Sequence, residues 1–498
     1  MLIRAARTLG AVAVGAATIA AFARADSAGV HIGERPSIEQ HTDQTEIDSG
    51  AIGLKELIRR GRLLFDAQYN KLDGAGRPAT TGTGAPRAAN QPAFTRISGP
   101  DANSCLGCHS QPRSGGAGDF VANVFVMAQD RDPVVETLDP RDSEERNTLG
   151  MMGAGPIEML AREMTADLIA IREAAVKEAA SNGGPVRRKL ETKGVSFGDI
   201  VVHSNGRVDP RGIEGVDWDL IVKPFHQKGA VVSLREFSNT AMNQHHGIQS
   251  VERFGKDTDP DGDGVVNEMT VGDITAITIY QAALNTPGRV IPRHPARRAA
   301  AERGERLFEV VKCTSCHRPA LVLDLPVFTE PNPYNPPGNL RPGDVRRVLS
   351  FDLTREGASP RLERRPDGSA VVRAFTDLKR HDISDGEYVH FANERAYQGS
   401  LIGFAPAAAF THPPRPRPTR EFLTRKLWDV GSSAPYGHRG DLTTMTEAIY
   451  FHGGEARTSR DAFFALAQTD QDAIIEFLKT LQVLPDGSPA SVAERAVP

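Results

Sequence analysis

All four cysteines of the chain fall in two five-residue patterns, Cys105-Leu106-Gly107-Cys108-His109 and Cys313-Thr314-Ser315-Cys316-His317. In each, two thiols can add to the vinyl groups of a haem, and the adjacent imidazole is then held beneath the iron as its proximal ligand. The same residues could instead hold zinc, or pair as disulfides in an exported chain. Neither alternative explains why every cysteine is used in the same way and always followed by histidine. The pattern predicts two covalently attached haems of the c type, with His109 and His317 as iron ligands.

A second constellation is made of hard oxygen donors. Asp257-Thr258-Asp259-Pro260-Asp261-Gly262-Asp263-Gly264-Val265-Val266-Asn267-Glu268 places Asp at positions 1, 3 and 5, Gly at 6 and Glu at 12 of a calcium loop. Carboxylates packed this closely repel one another unless a cation sits among them. The expected calcium ligands are Asp257, Asp259, Asp261, Asp263 and Glu268. Position 8 is Gly264, where an apolar residue is usual. A register two residues later puts Val266 there and Thr270 at position 12. The alternative is a solvated acidic turn.

The elements that must position these groups read as helices. Gly53 to Asn70 carries Leu54, Leu57, Ile58, Leu64 and Phe65 on one face. Further helical stretches run from Ile157 to about Ala180, over about 270–284, and from Asp470 to Leu481 behind Thr469 as N-cap, with Ile474, Phe477, Leu478 and Leu481 as its apolar stripe. Residues 73–101, 330–342 and 413–418 are rich in Gly, Pro and small residues and read as loops. No alternation is long enough to announce a β domain.

One internal repeat links the two motifs. Arg60-Gly61-Arg62-Leu63-Leu64-Phe65 resembles Arg303-Gly304-Glu305-Arg306-Leu307-Phe308 at an offset of 243. Cys313 follows Phe308 by five residues, whereas Cys105 follows Phe65 by forty, so a loop is inserted in the first copy. Each copy reads as a helix whose glycine lets a second helix cross closely, with the Leu-Phe pair packed below.

Composition sets the remaining bounds. With 498 residues, 39% hydrophobic and 24% charged, the chain has material for two or three domains. Arg4 and Arg7, the apolar run Ala11 to Phe22 and the small-x-small triplet Ala23-Arg24-Ala25 read as a signal peptide cut before Asp26. Loss of Arg4, Arg7 and Arg24 takes the net charge from −4 to −7, which offers nothing to nucleic acid. No later run is long and apolar enough to span a membrane. The expected location is the periplasm, or otherwise outside the cytoplasm.

Several segments resemble a known family. Leu427-Trp428-Asp429-Val430, Ala434-Pro435-Tyr436-Gly437-His438-Arg439-Gly440 and Glu447-Ala448-Ile449-Tyr450-Phe451-His452-Gly453-Gly454-Glu455-Ala456 are similar to the C-terminal signature of the bacterial dihaem cytochrome c peroxidase superfamily, nearest its dihaem oxidoreductase branch. Arg303 to Pro319 and Phe375-Thr376-Asp377-Leu378, with His381-Asp382, resemble the same branch. The likeness covers about residues 296–483 and is looser before them. In that superfamily the residue fourteen after the Pro-Tyr-x-His histidine is the distal ligand of the C-terminal haem. Here it is His452, so the resemblance implies His317/His452 ligation, with Met445 and His438 as the other choices. It also implies an aromatic relay between the haems, for which Trp218 is the expected residue, and a distal acid–base group at the first haem. His226, Gln244, His245 and His246 are available for that role by type, although adjacent His245 and His246 cannot both face one iron. Between the motifs, Gly155-Pro156-Ile157-Glu158-Met159-Leu160-Ala161-Arg162-Glu163-Met164 resembles the dihaem rubber oxygenases, which implies oxygen chemistry on an apolar substrate as an alternative.

These readings combine into a mainly α fold with two cytochrome c-like haem domains, long loops and an elaborated region between the motifs. The expected limits are 1–25 for the signal peptide, 26–295 for the first haem domain, 296–485 for the second and 486–498 for a tail. The expected function is a peroxidase-like oxidoreductase: haem 2 relays electrons from a redox partner protein or small donor, and haem 1 meets peroxide or oxygen. An electron carrier without its own substrate is the plainest alternative.

Overall fold

The chain is described from a computed structural model, over residues 32–76, 102–123, 145–385, 410–412 and 420–495. The expected leader and the Pro-rich segment 413–418 lie outside these residues. Seven helices build the region of interest: α1 (Leu54–Asp66), α2 (Ala154–Asn182), α3 (Leu234–Ala241), α4 (Val271–Ala282), α5 (Pro295–Val310), α6 (Met445–Tyr450) and α7 (Gln468–Lys479). The helices expected from periodicity are present with small shifts at their ends. Helix α7 starts one residue before Thr469, so Ala467 stands at its N-cap and Thr469 lies inside it.

The internal repeat is a repeat of helix crossings. In α1, a Cβ built on Gly61 would stand 2.0 Å from Ala276 O of α4; in α5, one on Gly304 would stand 1.9 Å from Ala473 O of α7. Only a residue without a side chain allows backbones to approach so closely. One turn further on, Phe65 meets Tyr280 of α4 at 5.4 Å between ring centroids and 59°, while Phe308 meets Phe477 of α7 at 5.6 Å and 59°. Tyr280 and Phe477 each lie four residues after the alanine that faces the glycine. Both halves of the chain therefore carry a glycine helix, a Cys-x-x-Cys-His motif and an alanine–aromatic partner helix, in that order.

The expectation of a mainly α fold needs correction. Among the described residues 36% is helix and 16% strand, so the class is mixed α/β. β1 (Gly118–Asn123) pairs antiparallel with β2 (Glu145–Thr148) directly after the first motif. β3 (Val186–Thr192), β4 (Val195–Val202) and β5 (Val208–Asp209) form an antiparallel sheet. Further two- and three-stranded sheets occupy residues 288–382, with strands at 421–423, 481–482 and 491–493 completing them. In β3 the side chains of Val186, Leu190 and Thr192 are buried, whereas those of Arg187, Lys189 and Glu191 are exposed. Strands so short, with charges on every outward position, leave too little apolar alternation to be read against the helical background.

Residues 36–498 form one unit and residues 1–35 another. The larger core of the first unit mixes α1, α2, α4 and β3–β5 with Leu321, Phe328, Phe351 and Leu378 from the second half. A smaller core gathers Phe308, Phe375, Phe463, Ile474 and Phe477 around α5 and α7. Full burial of an aromatic or branched aliphatic side chain is worth about 1.5–3 kcal/mol, enough for these few residues to hold the second crossing together. Helix α3 is locked by buried charge. Arg235 bonds Glu330 Oε1 at 2.5 Å and also pairs with Glu252, while Leu234 N–H donates to Glu158 Oε2 of α2 at 2.8 Å.

Candidate dihaem site

One cavity of about 1270 Å³ is lined by both motifs, from Cys105, Cys108 and His109 at one side to Cys313, Cys316 and His317 at the other. Ordinary ligand pockets hold about 300–1,000 Å³, so this space suits more than one large planar group. Phe65 stands 6.2 Å from His109 at 49°, and Phe308 stands 6.3 Å from His317 at 48°. The repeated crossing thus delivers each motif histidine in the same pose.

The nitrogens of these histidines are sorted by backbone carbonyls. His109 Nδ1 bonds Gly116 O at 3.3 Å, His317 Nδ1 bonds Phe375 O at 3.1 Å, and His452 Nδ1 bonds Ala448 O at 2.6 Å. A carbonyl can only accept, so each Nδ1 carries a ring proton and Nε2 is the nitrogen suited to iron; the backbone of Leu149 also bonds His109 and that of Arg425 bonds His317. Burial pushes His109 and His317 down to about 4, which keeps both imidazoles neutral. Burial also pushes the Cys105 and Cys313 thiols up to about 12. Among the described residues, neither motif gathers its two cysteines and histidine tightly enough to clasp a single ion.

His452 follows α6, whose capping box joins Thr444 and Glu447, and its ring centroid lies 6.4 Å from that of His317 at 50°. Two imidazoles on opposite sides of one ion, each about 2 Å from it, put their centroids about 6 Å apart. The other two choices for this position are placed differently. His438 has both ring nitrogens engaged, by Gln227 and Arg146, and Met445 packs in the smaller core. The segment 375–382, which carries part of the resemblance, surrounds the same motif. Phe375 holds His317, and His381 links Asp377 Oδ2 to Glu455 Oε2, at 2.8 Å each, beside Cys316. Burial works against a charge on His381, but hydrogen bonds to Asp377, Cys316 and Glu455 outweigh it and push the group up to about 11.

Around the first motif the wall is different. Helix α3 continues into a π-turn, Met242–His246, a local distortion found often at functional sites. The turn separates the two adjacent histidines. His246 leaves the distal role, because its Nδ1 bonds Ala102 O at 2.6 Å and its Nε2 contacts Cys105 Sγ at 3.5 Å. His245 lines the cavity near enough to depress the basicity of both His109 and His226. Gln244 and His226 also line it, and burial, with Arg146 and His245, pushes His226 down to about 4. Glu236, which sequence reasoning passed over, faces the same cavity from the first turn of α3. Its carboxyl is raised by burial, and Oε2 accepts Val232 N–H at 2.7 Å. The Ser233-x-x-Glu236 spacing marks a helix start and gives no hint of a cavity.

Trp218 is not brought to this cavity. It packs edge-on against Phe410 at 4.5 Å, outside the lining. The acidic loop is only partly assembled. Carboxylate oxygens of Asp259, Asp261 and Asp263 lie within 4.8 Å of one another. Asp257 instead bonds Asn267 at 2.8 Å, and Glu268 accepts Gln249 N–H at 2.7 Å.

Comparison with known proteins agrees with the C-terminal resemblance. Residues 416–481 match the family described as "Di-haem oxidoreductase, putative peroxidase". No curated protein matches the chain significantly. Among solved structures, hydrazine synthase from Kuenenia stuttgartiensis is 14% identical with a TM-score of 0.35, covering 92% of this chain and 98% of its own. A MauG-like protein associated with microbial copper homeostasis is 18% identical with a TM-score of 0.25, covering 57% and 77%. Both likenesses are too distant to carry a functional inference. Among the described residues no helix is long and apolar enough to cross a membrane. The family match falls in the segment that carries His452: residues 416–481 are similar to the di-haem oxidoreductase family.

Proposed function

We propose that the chain is an exported dihaem c-type oxidoreductase of the peroxidase kind, with its two haems in unequal roles. The observation that carries the reading is the 6.4 Å spacing of His317 and His452, with Nδ1 of each tied to a backbone carbonyl. When bound, a haem with two protein ligands supplies one-electron transfer, and one with an open side supplies reaction with peroxide or oxygen.

The residues fit such groups. Cys105 and Cys108 would hold haem 1 with His109 as its ligand; Cys313 and Cys316 would hold haem 2 between His317 and His452. A division near residue 295 is supported by the repeat, since α5 opens the second glycine–motif–partner series at Pro295, within the one unit of residues 36–498. At the first motif, Glu236 and His245 are the groups able to hold or pass a proton on the cavity wall. A redox partner protein or small donor would deliver electrons at the second motif. If a calcium ion is part of the assembly, Asp259, Asp261 and Asp263 are its ligands; chelation without loss of thermal stability would remove it from the account. Export is tested by the N-terminus of the mature protein, expected at Asp26.

The direct test of function is peroxide reduction by the purified holoprotein with a reduced cytochrome as donor. Turnover that disappears in His452→Ala while haem content stays at two per chain supports the relay; unchanged turnover overturns it. A second reading draws on Met151, Ala154, Ile157, Leu234 and Ile277, which make the first motif's side of the cavity apolar. Stable oxygen binding without peroxide turnover would favour an oxygenase.

A further inference from the structure

Two of the strings that carry the family resemblance, 375–382 and 447–456, meet beside the second motif. The first is a shaped turn. Phe375 and Leu378 hold positive φ, at 54° and 55°, a region that residues with side chains rarely adopt. Thr376 pins the turn: its Oγ1 donates to Thr424 O at 2.7 Å and accepts Leu378 N–H at 3.1 Å. Backbone held in such conformations gathers at functional sites. Here it directs two groups. Phe375 O accepts from His317 Nδ1 at 3.1 Å, and Asp377 Oδ2 stands 2.8 Å from His381 Nε2.

The second string is seated on residues 382–385. Gly453 N–H donates to Ile383 O and Gly454 N–H to Asp385 Oδ1, at 2.8 Å each, and Asp382 N–H donates to Glu455 Oε1 at 2.9 Å. Arg457 and Arg460 also pair with Asp385. A Cβ built on Gly453 would stand 2.4 Å from Asp385 Cγ, and one on Gly454 would stand 2.2 Å from Asp382 O, so the glycine pair is what lets the two segments meet. His452 immediately precedes this seat, with its own Nδ1 on Ala448 O.

One side chain joins the two strings. His381 Nδ1 lies 2.8 Å from Glu455 Oε2, while its Nε2 faces Asp377. Carboxylates accept, so both ring nitrogens donate and the imidazole carries a positive charge. His381 and Asp377 are buried, and Cys316 lies beside them. Removing one arm of a buried charged bridge leaves the rest of it poorly compensated, so both arms hold together. The connection therefore runs from Phe375, whose carbonyl orients His317, through Asp377, His381 and Glu455 to the segment that carries His452.

We propose that His381 is a positioning residue of the second haem: by bridging Asp377 and Glu455 it couples the turn that orients His317 to the seat that holds His452, and so keeps the two imidazoles opposed. The proposal rests on the dihaem reading and its His317/His452 pair. His381 acts through these two histidines and touches neither substrate nor iron.

The test is low-temperature electron paramagnetic resonance of the oxidised holoprotein, joined to a spectroelectrochemical titration, after haem content has been measured as the pyridine haemochrome. A wild-type chain without two covalent haems overturns the dihaem reading, and a low-spin ferric signal that survives His452→Ala overturns the ligand pair; the bridge falls with either. With both in place, His381→Leu displaces the g-values of the low-spin signal and converts part of it to high spin, while the signal of the first haem is unchanged. Glu455→Gln, which weakens the His452 arm alone, moves the same signal by less, and it carries the test if His381→Leu does not fold. The potential separates position from charge. A loosened histidine ligand raises the midpoint potential of the second haem in His381→Leu, because two imidazoles stabilise ferric iron; loss of a nearby cation alone lowers it. A lowered potential with an unchanged low-spin signal overturns the positioning role. So does a lowered melting temperature with signal and potential both unchanged.

Discussion

At the second motif, Gly304, Phe308 and Phe477 lead to His317, and His452 stands across from it with centroids 6.4 Å apart. At the first, the same frame of Gly61, Phe65 and Tyr280 leads to His109, but the cavity there is walled by α3 and its π-turn. The frames agree to within about 0.2 Å and a degree in their ring geometry, as the paired values above show. Beyond the carbonyl that orients each histidine, the surroundings differ. A duplicated crossing of two helices sets where a haem would sit, and the chain inserted between its parts sets what the haem can do. At the second motif that chain brings His452 opposite His317, the ligand of the proposed reading; at the first it brings ionisable groups to a cavity wall.

The comparison is broken most severely by removing one attachment site at a time. Replacing Cys105 and Cys108 by alanine, or Cys313 and Cys316, is expected to halve covalent haem, read as haem resistant to acid–acetone extraction. Full retention in either variant contradicts attachment at that motif. The next largest effect is expected from Glu236→Gln, which removes an ionisable carboxyl from the first site alone. Peroxide turnover should fall by about 10²–10⁴-fold, with the spectrum of the second haem unchanged. Burial raises the Glu236 carboxyl. As a base it works only when ionised, so wild-type activity should fall as pH drops through a value above the ordinary glutamate range. That limb should vanish in Glu236→Gln; a limb that persists assigns it to another group.

A smaller effect tests the shared frame. Gly61→Ala and Gly304→Ala each drive a methyl against a backbone carbonyl at about 2 Å, and overpacking of this kind costs about 1–3 kcal/mol. Each should lower the melting temperature. Gly61→Ala should disturb the spectrum of the first haem and Gly304→Ala that of the second. The same disturbance from both would mean that the two frames are not separate.

How much of this was legible in the sequence differs between the regions in the same way. Around His317 nearly everything lies close along the chain or in a recognisable string. The motif follows Phe308 by five residues, the family resemblance implies His452 fourteen residues after His438, and α7 shows its stripe of Ile474, Phe477 and Leu478. Around His109 the groups come from distant segments. Glu236 reads as an ordinary helix start, and Arg146 stands on the four-residue strand β2, too short to show alternation. The matching of Tyr280 with Phe477 was available as an alanine four residues before an aromatic, but two residues make a faint signal. The short strands were illegible for the reason seen in β3: alternation over seven residues, with charges at the exposed positions, competes poorly with helical periodicity. Trp218 was expected between the haems because tryptophan is rare and well suited to a relay; the structure packs it on Phe410 instead.

The central claim is that the two haem sites are unequal, one closed by two histidines and one open to chemistry. Low-temperature electron paramagnetic resonance of the fully oxidised holoprotein tests it most directly. The account predicts one low-spin ferric signal, lost in His452→Ala, together with one high-spin signal that responds to peroxide. Two low-spin signals, both indifferent to peroxide and to reduction, would contradict it.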